Sequence, residues 1–90
     1  MADDSMRFYV WVFVPSAVRR GYQWGAYRAS DNWRFEYNVD AYIEETAVHV
    51  LWKEVSAVAP EPTFYSADAI DAPLSAALCA GLNAKVERSA

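Results

Sequence analysis

The run Phe8-Tyr9-Val10-Trp11-Val12-Phe13-Val14, closed by Pro15, constrains the fold of this chain more than any other stretch. Seven consecutive aromatic or β-branched residues are too few for a globular helix and suit a pleated surface, so residues 6–14 read as a strand. Alternation sends Phe8, Val10, Val12 and Val14 to one face and Tyr9, Trp11 and Phe13 to the other. Both faces are apolar, and one layer of helices cannot cover both. The Val10 and Val12 face is expected beneath helices. The Tyr9, Trp11 and Phe13 face is either wrapped by the chain's own core or a place for a partner or a second subunit.

Pro15 ends the strand, and Gly21 closes a connection in which Arg19 and Arg20 read as ordinary solubilising charge at an exposed bend, since no glycine-rich cradle makes them an anion site. Residues 22–28 read as a second strand. Gly25 within it marks either a bulge or the close approach of a backbone or an aromatic ring. Ala29-Ser30-Asp31-Asn32 has turn chemistry. Residues 33–39 then alternate, with Trp33, Phe35, Tyr37 and Val39 inward and Arg34, Glu36 and Asn38 outward. Pairing Arg28 with Trp33 across the turn sets Ala26 against Phe35 and Trp24 against Tyr37, on the dry side of the hairpin.

Asp40 is placed to cap a helix over about residues 41–58, whose apolar stripe is Ile43, Ala47, Val50, Leu51, Val55 and Val58. Tyr42, Glu45, His49, Lys53 and Ser56 lie opposite, and Glu54 falls inside the stripe. There it reads either as a buried carboxylate with a raised pKa, a candidate general base, or, the preferred reading, as an acid near the stripe's edge that reaches solvent or a sheet arginine. Prolines 60 and 62 stop this helix, and Thr63-Phe64-Tyr65 reads as a short edge strand or an extended segment. Asp71-Ala72-Pro73 begins a second helix through Leu74, Leu78, Cys79 and Leu82, ending at Gly81 or Asn83, with small residues that permit close packing. The expected class is α+β: a three-stranded antiparallel sheet with two helices packed on one face, in the order βββα(β)α. A chain of 90 residues forms one small domain, with frayed ends about residues 1–5 and 85–90.

Charge is unevenly placed. Residues 1–39 carry five bases against four acids, whereas residues 40–90 carry three bases against eight acids. That balance argues against direct nucleic-acid binding, which needs clustered Lys and Arg. An acidic half can instead compete with nucleic acid for a basic protein, or simply keep the chain in solution. Cys79 is the only cysteine, so neither an intrachain disulfide nor a thiolate metal cluster is expected. The lone His49 has no neighbouring ligands, no membrane-spanning run is present, and the acidic N-terminus is unlike a signal peptide. The expectation is a cytoplasmic protein that is not an enzyme and takes no cofactor or metal.

Gly21-Tyr22-Gln23-Trp24-Gly25 after a first strand, then an acidic helix opening with Glu44-Glu45 and carrying Leu51-Trp52-Lys53, resembles small phage-encoded anti-CRISPR proteins acting on type I-F systems. The resemblance implies a compact phage inhibitor that binds a Cas protein assembly in the host cell and blocks its target-DNA recognition. Surplus aromatics and the acidic helix nominate Tyr9, Trp11, Phe13, Glu44, Glu45 and Trp52 as partner-binding residues. The alternative is a homodimeric structural or adaptor module joined through Tyr9, Trp11 and Phe13. A sheet that stacks nucleobases has suitable aromatics but lacks a basic surround.

Overall fold

The β-branched and aromatic runs form strands where their composition places them. The structure, a computed structural model, describes residues 4–67 and 71–89. A short 3-10 turn, Asp4–Met6, leads into β1 (Arg7–Phe13), β2 (Tyr22–Arg28), β3 (Trp33–Val39), α1 (Glu44–Ser56), β4 (Thr63–Ser66) and α2 (Ala72–Ser89). The first three strands form an antiparallel meander with the expected β2–β3 register, Ala26 opposite Phe35 and Trp24 opposite Tyr37. Asn32 supplies the left-handed residue of the turn at φ 60°, and the Asp31 carboxylate accepts from the Trp33 amide at 3.1 Å.

The segment expected as an edge strand or extended stretch is β4. It pairs parallel to β1 and completes a four-stranded mixed sheet in the order β3-β2-β1-β4, so the class is α+β with one more strand than the meander. Phe8, Val10 and Val12 of β1, Trp24 and Ala26 of β2 and Phe64 of β4 meet Ala47, Leu51 and Val55 of α1 and Leu78 and Leu82 of α2 in a single core. Because β4 pairs only with residues 7–10 of β1, the Val12 amide lies beyond it, and the buried Ser75 hydroxyl of α2 accepts that N–H at 3.1 Å.

Three helix expectations are corrected. Asp40 is not the N-cap: α1 begins at Glu44 with Ile43 as its cap residue and no side-chain capping bond. Tyr42 stacks on Tyr22 at 6.2 Å, so tertiary packing holds residues 40–43 out of the helix. The stripe is also shifted, since Ile43 and Val58 are exposed while Val48 and Trp52 pack on the core. Finally, α2 does not stop at Gly81 or Asn83 but runs to Ser89, so residues 85–89 are helical rather than a loose tail. Gly81 is there for packing: a Cβ on it would lie 2.9 Å from Val48 Cγ2 of α1. The expected fraying at residues 1–3 and 90 falls outside the described residues.

A buried arginine that sequence reading passed over ties the hairpin to the rest. Arg28 donates to both carboxylate oxygens of Asp31, at 2.9 and 2.7 Å, and to the Ser5 carbonyl at 2.7 Å, with its guanidinium 5.1 Å from the Phe8 ring. Hydrogen bonding from Arg28 holds the Asp31 carboxyl below its ordinary pKa. Among the described residues, no helix is long and apolar enough to cross a membrane.

Candidate functional site

The helices occupy one face of the sheet, and strand alternation puts Arg7, Tyr9, Trp11 and Phe13 on the other. The strand registers then fix their neighbours. Tyr9 stands opposite Tyr27 on β2 and opposite Tyr65 on β4, and Tyr27 stands opposite Arg34 on β3. A single row, Arg34-Tyr27-Tyr9-Tyr65, therefore crosses all four strands.

The rings of this row stand upright side by side. Tyr9 and Tyr27 are stacked at 5.2 Å between centroids, and Tyr9 and Tyr65 lie at 5.7 Å. These separations track the strand spacing of about 4.8 Å, as expected for side chains perpendicular to the sheet. Tyr9 thus lies between two tyrosine rings, stacked on Tyr27 and tilted against Tyr65. Tyr65, at the end of the row, is exposed, and the Arg7 guanidinium lies 5.5 Å from its ring. The Tyr9 and Tyr65 hydroxyls raise the pKa of Arg7 above its ordinary value.

The next row is built on the absence of a side chain. Trp11 stands opposite Gly25, and a Cβ at Gly25 would lie 2.6 Å from the Trp11 ring and 2.2 Å from the Phe35 carbonyl oxygen. Of the two expected roles for Gly25, ring approach is the one realised; the ladder runs through it without a bulge. Arg34 covers Trp11 from above, 5.0 Å from ring to guanidinium, and pairs with Glu36, whose other carboxylate oxygen accepts from Gln23 at 2.8 Å. Trp11 is consequently only 3% exposed, and its buried indole N–H has no hydrogen-bond partner among the described residues.

Phe13 is covered in the same manner. Arg19 folds back over its ring at 4.5 Å and donates to the Val14 carbonyl. The reading of Arg19 as solubilising charge is therefore corrected, while Arg20 is exposed. The reason is the tight Ser16–Arg19 bridge, which turns the arginine stem onto the strand it has just left.

The six nominated residues do not form one site. Tyr9, Trp11 and Phe13 share the uncovered face, but Trp11 is buried within it and Tyr9 and Phe13 are half-buried. Glu44, Glu45 and Trp52 belong to α1, in the layer on the opposite face. Glu44 and Glu45 border a groove between the two helices alongside His49, Lys85 and Arg88. Trp52 is half-buried beside Pro60, Pro62 and Val86, because α1 turns the Val48 and Trp52 side toward its neighbours. The exposed members of this face are Arg34 and Tyr65, and Arg7 is half-buried like Tyr9 and Phe13. Parity in β1 and β3 carried the signal for both arginines; the β1–β2 pairing, joined through a long connection, was what the sequence did not supply.

Of the remaining chemistry-bearing residues, Cys79 holds a backbone group in place. The Cys79 thiol donates to the Phe64 carbonyl at 3.2 Å, and burial raises its pKa, away from a reactive thiolate. Glu54 is half-buried at the edge of the stripe, and His49 is exposed. Among the described residues, no three His, Cys, Asp or Glu side chains are grouped to hold a metal ion. Comparison of the chain with protein-family models, with curated proteins and with solved structures gives no match.

Proposed function

We propose that this chain is a binding protein that captures a protein partner on the tyrosine and arginine face of its sheet. The observation that carries the reading is the four-strand row Arg34-Tyr27-Tyr9-Tyr65. Tyrosine and arginine are the residues in which interface binding energy concentrates, and tyrosine gives large contact area for little lost rotamer freedom. Here each ring is held by its neighbour, so ordering it on binding adds little further cost. Three arginines, Arg7, Arg19 and Arg34, offset on this face by Glu36, favour a partner surface that presents carboxylates or backbone carbonyls.

The upright rings also favour a protein over a single-stranded nucleic acid. Base stacking needs ring faces lying open on the sheet, and in this row Tyr9 lies between Tyr27 and Tyr65 while Arg7 lies over the Tyr65 ring. On the resemblance to anti-CRISPR proteins, the partner is a Cas surveillance assembly, and binding blocks its recognition of target DNA. That resemblance rests on Gly21 to Gly25, Glu44, Glu45 and Leu51 to Lys53.

The test is surface binding of the purified full chain to a type I-F surveillance complex, with target-DNA binding read in parallel. Wild type is expected to bind and to suppress DNA binding, Tyr65→Ala and Arg7→Glu to weaken capture by about tenfold or more, and Glu44→Lys to leave it unchanged. Absence of wild-type binding removes the anti-CRISPR assignment. Affinity capture from host lysate with wild type and Tyr65→Ala as bait then tests the face itself, and a partner retained equally by both baits overturns the binding-face reading.

A further inference from the structure

The two edges of the sheet are finished in opposite ways. At the β4 edge, the Asn83 amide from α2 stands in for another strand: it accepts from the Phe64 N–H at 3.1 Å and donates to the Phe64 carbonyl at 3.0 Å. The β3 edge has no such cover. Among the described residues, the backbone of residues 34–39 makes no hydrogen bond beyond its ladder to β2. This edge is seven residues long and contains neither proline nor glycine. Its helix-side row is also undercovered, because the helices pack over β1, β2 and β4. Trp33 and Phe35 are half-buried and Tyr37 is 45% exposed.

We infer that β3 pairs with β3 of a second copy, antiparallel and centred on Phe35, joining the two sheets edge to edge. Side-chain order selects this occupant and this register. A two-fold at Phe35 sets Arg34 of each copy against Glu36 of the other, sets Trp33 against Tyr37, and brings the two Phe35 rings together. Centring on Glu36 would oppose two glutamates, and centring on Arg34 would oppose two arginines. Antiparallel pairing of one edge with its own copy keeps both helix layers on the same side of the joined sheet, so residues of like parity always face each other. Within β3 the two charged side chains, Arg34 and Glu36, face each other only in this register. The pairing differs from the dimer expected through Tyr9, Trp11 and Phe13, and it leaves that face free on both copies.

Sedimentation equilibrium of the full chain at micromolar concentrations is the test. Wild type is expected to be dimeric. Arg34→Glu and Glu36→Arg each turn both cross-edge ion pairs into repulsions and should weaken the dimer by about tenfold or more. Mixed in equal amounts, the two variants should associate again, since each glutamate then faces an arginine. Under oxidation in a Cys79→Ser background, Phe35→Cys should form a disulfide-linked dimer and Glu36→Cys should not. A monomeric wild type overturns the inference, as does a dimer untouched by both charge variants or crosslinked through position 36 rather than 35. Arg34 also covers Trp11, so far-UV circular dichroism accompanies each variant. If Arg34→Glu fails to fold, the two crosslinking variants decide.

Discussion

Trp24 and Trp11 lie on opposite faces of the same sheet and are almost equally hidden, 1% and 3% exposed, yet they are hidden by different means. Trp24 sits beneath the helix layer, stacked on Tyr37 at 5.3 Å. Trp11 has Gly25 beneath it, Tyr27 beside it and the exposed Arg34 above. One tryptophan is enclosed by elements that cannot move without unfolding; the other is enclosed by side chains that can. Burial alone does not separate a core from a closed interface, and what distinguishes them is the stiffness of the cover.

The sharpest way to break this contrast is to truncate both tryptophans and compare chemical denaturation midpoints. Trp24→Ala should lose roughly 3–5 kcal/mol, most of the stability of so small a domain. Trp11→Ala should lose roughly 1.5–3 kcal/mol, because Arg34 and water can collapse into the vacated space. Equal losses would mean that the second face is a core in its own right. Either outcome makes Trp11→Ala a poor probe of binding, for which Tyr65 and Arg7 are better suited.

Gly25→Ala comes next. Its methyl group would press on the Trp11 ring, which can lift, and more closely on the Phe35 carbonyl oxygen at 2.2 Å, a backbone atom that can move aside only with the strand. A loss of about 1–3 kcal/mol is expected, with a red shift in tryptophan emission as Trp11 lifts into water. A loss without the spectral change would show that the cover over Trp11 is stiffer than described. Arg34→Ala, which removes the cover itself, should cost about 0.5–1 kcal/mol and increase quenching of Trp11 by added iodide.

At neutral pH the smallest effect is on the helix side, where one hydroxyl instead sets a dependence on alkaline pH. The buried Tyr42 hydroxyl has no partner among the described residues, and burial, reinforced by Glu44, pushes its pKa up to about 12. An unfolded tyrosine ionises near pH 10. Between these values the unfolded chain has released a proton that the folded chain keeps, so stability present below pH 10 declines as pH rises toward 12. In thermal melts across this range, Tyr42→Phe should flatten the decline without loss at neutral pH. An unchanged slope would assign the alkaline sensitivity elsewhere.

What the sequence made legible is local. The meander strands, the β2–β3 register and the dry side of that hairpin follow from alternation and turn chemistry within a few residues of one another. The parallel pairing of β4 with β1 depends on a crossover through α1, and no local pattern encodes it. Gly81 and Asn83 carry the composition of a helix end, but their uses are tertiary: one admits Val48, the other holds Phe64. Of the candidate site, the shared face of Tyr9, Trp11 and Phe13 is legible from strand alternation, whereas placing Arg34 and Arg7 beside them takes the β1–β2 and β1–β4 registers. Composition groups Glu44, Glu45 and Trp52 with them, and the fold sets those three in the helix layer on the other side of the sheet.

The Ser75 hydroxyl that meets the Val12 amide has company along α2. Ser75, Cys79 and Asn83 recur at four-residue intervals, and each bonds a backbone group of β1 or β4. An apolar stripe tolerates a helix rolling by some tens of degrees, because dispersion and burial have no direction. Hydrogen bonds do have direction, and rolling this helix would strand a buried N–H at Val12 and the paired groups of Phe64. These polar side chains act as notches, fixing the angular setting of α2 against the sheet and giving the core one arrangement where hydrophobicity alone would allow several.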